Sequence, residues 1–113
     1  MKNRLNEEEL VSTTIDLGIA RKGELNESFL AMFGYWVKAI MKRIFGGANV
    51  PVSVKGTRSE VESFANALGR ERDYMTSLKR NGLDNETTFG NKYRLDKAVE
   101  NFEKETGLKW PFK

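Results

Sequence analysis

Asn26-Glu27-Ser28-Phe29-Leu30-Ala31-Met32-Phe33-Gly34-Tyr35-Trp36-Val37-Lys38-Ala39-Ile40-Met41-Lys42-Arg43-Ile44-Phe45 is the stretch on which the fold turns. Phe29, Met32, Phe33, Trp36, Val37, Ile40 and Ile44 recur at three- and four-residue spacing, the period of a helix face. Asn26 is a good N-cap residue, and Glu27 places a carboxylate at the positive end of the helix dipole. Gly46-Gly47 supplies the stop. Leu30, Met41 and Phe45 widen the apolar stripe beyond the third of the circumference that a surface helix normally buries. A helix with so broad an apolar girth needs cover on two sides, from its own chain or from another.

Downstream, residues 50–55 (Val-Pro-Val-Ser-Val-Lys) alternate in period two and predict a short strand, with Pro51 at an edge or a start. Thr57-Arg58-Ser59-Glu60 matches the capping box and opens a helix that runs to about Arg80. Val61, Phe64, Ala65, Leu68, Met75 and Leu78 are its predicted inward face, and Asn81-Gly82 ends it. Residues 83–90 read as a polar connection. Asn91 is the predicted cap of a last helix over residues 92–106, with Leu95, Ala98, Val99 and Phe102 inward and Gly107 at its end. Trp110 and Phe112 predict a tail that packs back on the body.

Upstream, residues 10–20 carry two patterns. Ile15, Leu17 and Ile19 alternate as in a strand, whereas Leu10, Thr13, Thr14 and Leu17 have helical spacing. The helix is preferred because helices dominate the rest of the chain; an extended segment would be the natural partner for residues 50–55. Residues 1–9 are polar and acidic and are expected to be flexible. The sum is an α+β fold, mostly α, with three or four helices and one short strand or β-hairpin. At 113 residues the chain, residues 1–113, makes a single small domain.

Composition removes whole classes of chemistry. There is no cysteine and no histidine. Thiolate zinc, iron–sulfur clusters, disulfides, a cysteine nucleophile and a Ser-His-Asp triad are therefore out of reach. No catalytic motif replaces them, and no cofactor or metal is expected. Glu100 and Glu103 share a helix face, but a metal there would need oxygens from a second helix. The net charge is +3 and the pI about 9.2, with the signs interleaved along the chain. The start has no apolar stretch of the secretory kind, and Gly34, Lys38, Lys42 and Arg43 interrupt the most apolar segment. A cytoplasmic protein without a membrane partner is the expectation.

Two functional readings arise from different residues. In the first, the broad helix is an association surface for a second copy or a protein partner, anchored by Phe29, Phe33, Trp36 and Ile40, because desolvated aromatic residues dominate binding energy. In the second, a basic surface around residues 55–80 contacts an anion or nucleic acid. Its candidates are Lys55, Thr57, Arg58, Arg70, Arg72, Lys79 and Arg80. Lys55 and Arg58 flank a strand–glycine–helix junction, and Arg70 lies one turn from Tyr74.

The run Lys55-Gly56-Thr57-Arg58-Ser59-Glu60-Val61-Glu62-Ser63-Phe64-Ala65-Asn66-Ala67-Leu68, taken with the ending Phe102-Glu103-Lys104-Glu105-Thr106-Gly107-Leu108-Lys109-Trp110-Pro111-Phe112-Lys113, resembles small uncharacterised proteins of large tailed bacteriophages, marine ones included. The resemblance covers the C-terminal half and carries over no site residue. It implies a phage accessory or virion-associated protein that works by assembly, located in the host cytoplasm or the virion.

Overall fold

Thr14–Asp16 is extended, not helical, and forms strand β1. The computed structural model describes residues 14–45 and 53–112. β1 pairs in parallel with β2, Ser53–Lys55, in the register Thr14↔Ser53, Ile15↔Val54 and Asp16↔Lys55. The Leu17 amide extends the pairing by donating to the Lys55 carbonyl at 2.8 Å. Ile15 and Leu17, on the same side of the strand, are both 0% exposed. Period-two burial and a backbone partner thus outweigh the helical spacing of this segment. Residues 1–9, the start of the 10–20 segment (residues 10–13, including Leu10 and Thr13 of its helical spacing), the glycine stop at 46–47 and the first part of the predicted strand, residues 50–52, lie outside the described residues.

Helix α1, Glu27–Phe45, crosses between the two strands. Asn26 caps it, its Oδ1 accepting from the Phe29 amide at 2.8 Å. Helix α2, Arg58–Asn81, opens with the predicted capping box. The Glu60 amide donates to Thr57 Oγ1 at 3.2 Å, and the Thr57 amide donates to Glu60 Oε1 at 2.8 Å. The Glu60 carboxylate, 2% exposed, also receives Nε and Nη2 of Arg21 at 3.2 Å each. That contact ties the turn after β1 to the start of α2.

The α2 inward face differs from the apolar set expected. Phe64 is buried, but Ala65 is exposed, and Val61, Leu68, Met75 and Leu78 are half-buried. The most buried polar positions are Glu60, Ser63, Glu71 and Ser77. The small residues Ser63 and Ala67 are buried as well, and α2 shares its most extensive contact with α3, beside which Ser63 lines a shallow hollow with Asn101 and Glu105.

That neighbour, α3, is Glu86–Thr106 and begins more than a turn before the expected start at Lys92. Its cap is Asn85, whose Oδ1 accepts from the Thr87 amide at 2.9 Å. Asn91 is inside the helix and serves a different purpose. Its Nδ2 donates to the Asp73 carbonyl at 3.5 Å and to Ser77 Oγ. Thr88, 1% exposed, donates its hydroxyl to the Ser77 carbonyl. The segment expected as a loop is helical because these groups dock it on α2.

α3 ends at Gly107 in the left-handed conformation (φ 74°), with its amide donating to the Glu103 carbonyl. The tail then folds back as expected. Leu108 is 1% and Trp110 3% exposed. Phe33, Phe64, Phe102 and Trp110 form the centre of the core. Phe33 and Phe102 stack at 5.8 Å, and Trp110 meets Phe102 edge-on at 5.3 Å. Such pairs each contribute about 0.5–1.5 kcal/mol beyond their buried area. The architecture is a helical hairpin, α2–α3, with the β1–α1–β2 unit and the C-terminal tail packed on it. It is α+β, mostly α.

Candidate association surface and the flanks of the helical hairpin

α1 carries two apolar stripes side by side. The first faces the core: Phe33 and Val37 are 0%, Ile40 1% and Met41 3% exposed. Of the four expected anchors, Phe33 and Ile40 therefore belong to the interior and cannot contact a partner. Phe29 and Trp36 are half-buried and keep an outer surface. With Met32 and Ala39 they form the second stripe at positions i, i+3, i+7 and i+10, the a/d spacing of helix pairing. Met32 is 52% exposed at its centre. Phe29 and Trp36 meet edge-on, ring centres 5.9 Å apart, and Phe29 also stacks on Phe33 at 6.4 Å. The core thus fixes the rotamers of two aromatic residues whose outer surfaces remain accessible. The spacing is present in the sequence, but periodicity alone does not say which of two adjacent stripes faces inward.

The basic candidates do not form one surface. Arg58 at the first turn of α2 and Arg80 at its last are roughly 33 Å apart along the axis. The Thr57 hydroxyl and the free amide at that helix start are already engaged by the capping box. Arg58 pairs with Glu62 at 3.0 Å, and Arg72 with Asp73 at 3.2 Å. Lys55 is exposed on β2, and Lys79 and Arg80 are exposed at the far end of α2. Arg70 is the candidate that meets cations of another helix. With Asn66 it lines a shallow groove shared with Tyr93, Arg94, Lys97 and Asn101 of α3. Tyr93 is 64% exposed, with Lys97 Nζ 5.7 Å from its ring centre. Arg94, Lys97 and Asn101 stand at i, i+3 and i+7, a signal the sequence contains.

The opposite flank of the hairpin is a cleft of about 370 Å³, where Glu71, Asp96, Glu100 and Glu103 surround apolar and aromatic surface. Burial pushes the Glu71 carboxyl above its ordinary value, opposed by the hydrogen bond from Trp110 and by the Lys92 charge. Pairing with Asp96 holds the Lys92 ammonium above its ordinary value. Among the described residues no three acidic side chains converge as a metal site would require, and no helix is long and apolar enough to cross a membrane.

Compared with protein-family models, curated proteins and solved structures, the chain shows no significant match, so function must be read from its own residues.

Proposed function

We propose that this protein is a non-catalytic self-associating module whose copies pair through the second stripe of α1. The observation that carries this reading is the placement of exposed Met32 between two core-anchored aromatic residues, Phe29 and Trp36, with Ala39 next along the same stripe at helix-pairing spacing. The occupant is a second copy in antiparallel orientation. α1 has one carboxylate, Glu27, in its first turn, and its three cations, Lys38, Lys42 and Arg43, lie toward its C-terminal end. A two-fold axis across the stripe sets the acidic end of each helix beside the basic end of the other, whereas parallel pairing would oppose like charges. The stripe spans roughly 15 Å. That is a small interface, of the kind that gives a concentration-dependent dimer.

Sedimentation across protein concentrations up to about 1 mM tests it. The expected result is a monomer–dimer equilibrium that holds or tightens at high salt, because apolar burial is strengthened there. Met32→Glu is expected to give monomers with an unchanged unfolding curve, since Met32 is half-exposed. A monomer at every concentration would refute the proposal.

A second reading, nucleic-acid contact, is favoured by one observation: the groove that joins Arg70, Arg94 and Lys97 to the exposed ring of Tyr93. Stacking with phosphate contact would give binding to single strands that weakens steeply with salt. Loss of that binding in Tyr93→Ala with Lys97→Ala would place it here rather than on residues 55–58.

A further inference from the structure

The groove that joins Arg70 of α2 to Arg94 and Lys97 of α3 keeps its charge. Among the described residues that line it there is no carboxylate. Arg21, Lys22, Arg58, Arg72 and Lys92 each have an acidic partner, whereas Arg70, Arg94 and Lys97 have no ion pair among the described residues. Two nearby carboxylates on the same helices are already taken, Asp73 by Arg72 and Asp96 by Lys92. Glu62 and Glu105 line a separate hollow that shares only Asn66 and Asn101 with the groove.

One of the three cations is held in place. Arg94 donates from Nη1 to Asn91 Oδ1 at 3.0 Å. Asn91 is itself docked on α2, its Nδ2 donating to the Asp73 carbonyl at 3.5 Å and to Ser77 Oγ, so both ends of one amide are engaged. Gly90 leaves the guanidinium its room, since a Cβ there would meet Arg94 Nη1 at 3.4 Å. Arg70 and Lys97 have no such anchor among the described residues, and Lys97 Nζ only approaches the Tyr93 ring, 5.7 Å from its centre. A guanidinium fixed through one nitrogen presents its other donors as a rigid fork, a geometry that fits phosphate oxygens and that an ammonium lacks. Tyr93, 64% exposed, precedes Arg94, so an oriented cation and an open aromatic ring border the same groove.

We propose that this groove binds one unpaired nucleotide of a single strand, with its phosphate on the guanidinium of Arg94 and its base on the ring of Tyr93. Asn91 is the positioning residue for Arg94, and Arg70 and Lys97 add charge without orientation. The assignment rests on the nucleic-acid reading and is independent of the α1 stripe. A duplex, with its bases stacked and paired, offers Tyr93 no free base face.

The test is fluorescence anisotropy of a labelled thymidine hexamer with the full chain at low salt. Arg94→Lys, at an exposed position, keeps the charge and loses the fork, and is expected to weaken binding about fivefold to tenfold. Arg70→Lys is expected to change it by less than about twofold. A hexamer of abasic sugars with the same charge is expected to bind at least about fivefold more weakly, because it has no base to stack. Asn91→Ala is expected to weaken binding in the native chain but to add nothing in Arg94→Lys, a non-additivity that a purely structural role would not produce. The assignment is overturned, with the nucleic-acid reading intact, if Tyr93→Ala with Lys97→Ala abolishes binding while Arg94→Lys binds like the native chain. It is equally overturned if the abasic strand or a duplex with as many phosphates binds as tightly, and additive losses would remove the role of Asn91. Absence of saturable binding by the native chain would overturn both the assignment and the reading it rests on.

Discussion

Trp110, four residues beyond the end of α3, donates its indole N–H to Glu71 Oε1 in the middle of α2 at 2.8 Å. The same residue donates its backbone amide to Glu103 Oε2 at 2.8 Å. The tail is therefore fastened to both helices of the hairpin by one tryptophan, with its ring against Phe64 and Phe102.

Glu71 gives this fastening a pH dependence. Burial raises its folded-state pKa, so the folded protein holds the proton more tightly than the unfolded chain. Stability from this group is fully present below the ordinary glutamate value and is lost as pH rises through the folded value. Glu71→Gln keeps an acceptor oxygen for the indole and is expected to remove that decline in urea melts taken across pH. Trp110→Phe leaves the buried carboxylate without its donor. A loss of about 1–3 kcal/mol is expected, with a steeper decline as pH rises.

Glu60 has the opposite sign. The Arg21 guanidinium holds its carboxyl below the ordinary value, against burial, and the Thr57 amide adds to this. Its stabilisation is present above the ordinary value and is lost as pH falls through the folded one. Thr57→Ala is expected to cost about 0.5–2 kcal/mol, as N-cap removals do. Glu60→Gln is expected to flatten the acid limb of stability against pH. An unchanged acid limb in Glu60→Gln would show that other carboxylates set it.

Two asparagines separate capping from docking at the start of α3. Asn85→Ala removes the cap and is expected to cost about 1 kcal/mol, with Asn85→Gly recovering most of it. Asn91→Ala removes the side chain that reaches Asp73 and Ser77, and glycine at that position would not restore it, because glycine weakens a helix interior. Equilibrium unfolding of the four single variants distinguishes the two roles. Equal behaviour of the two glycine variants would contradict the assignment.

Local chemistry explains which elements were legible in the sequence. α1, the Thr57/Glu60 box and the Gly107 terminus depend on residues within a few positions of one another, and all are present. β1 is three residues long and exists through a partner roughly 40 positions away, which no local pattern reports. Asn85 and Asn91 are equally good caps in isolation, and the docking of Thr88 on Ser77 decides between them. The same limit applies to the candidate surface. Phe29 and Trp36 could be found from spacing, but Phe33 and Ile40 could be distinguished from Met32 and Ala39 only once Phe64 and Phe102 had taken one side of the helix.

The parallel pairing of β1 with β2 also sets an order of events. α2 and α3 are joined by a short connection and share most of the contacts between elements, so their association closes only a small loop. β1 meets β2 only after the chain has passed through all of α1, a longer closure with a greater entropic cost. Loop closure therefore favours a hairpin that forms first, with the β1–α1 segment joining it. Until α1 arrives, the hairpin presents Phe64 and Phe102, already in contact at 5.8 Å, without Phe33 to cover them. During folding, this nascent aromatic surface is the one that premature contact between chains would engage.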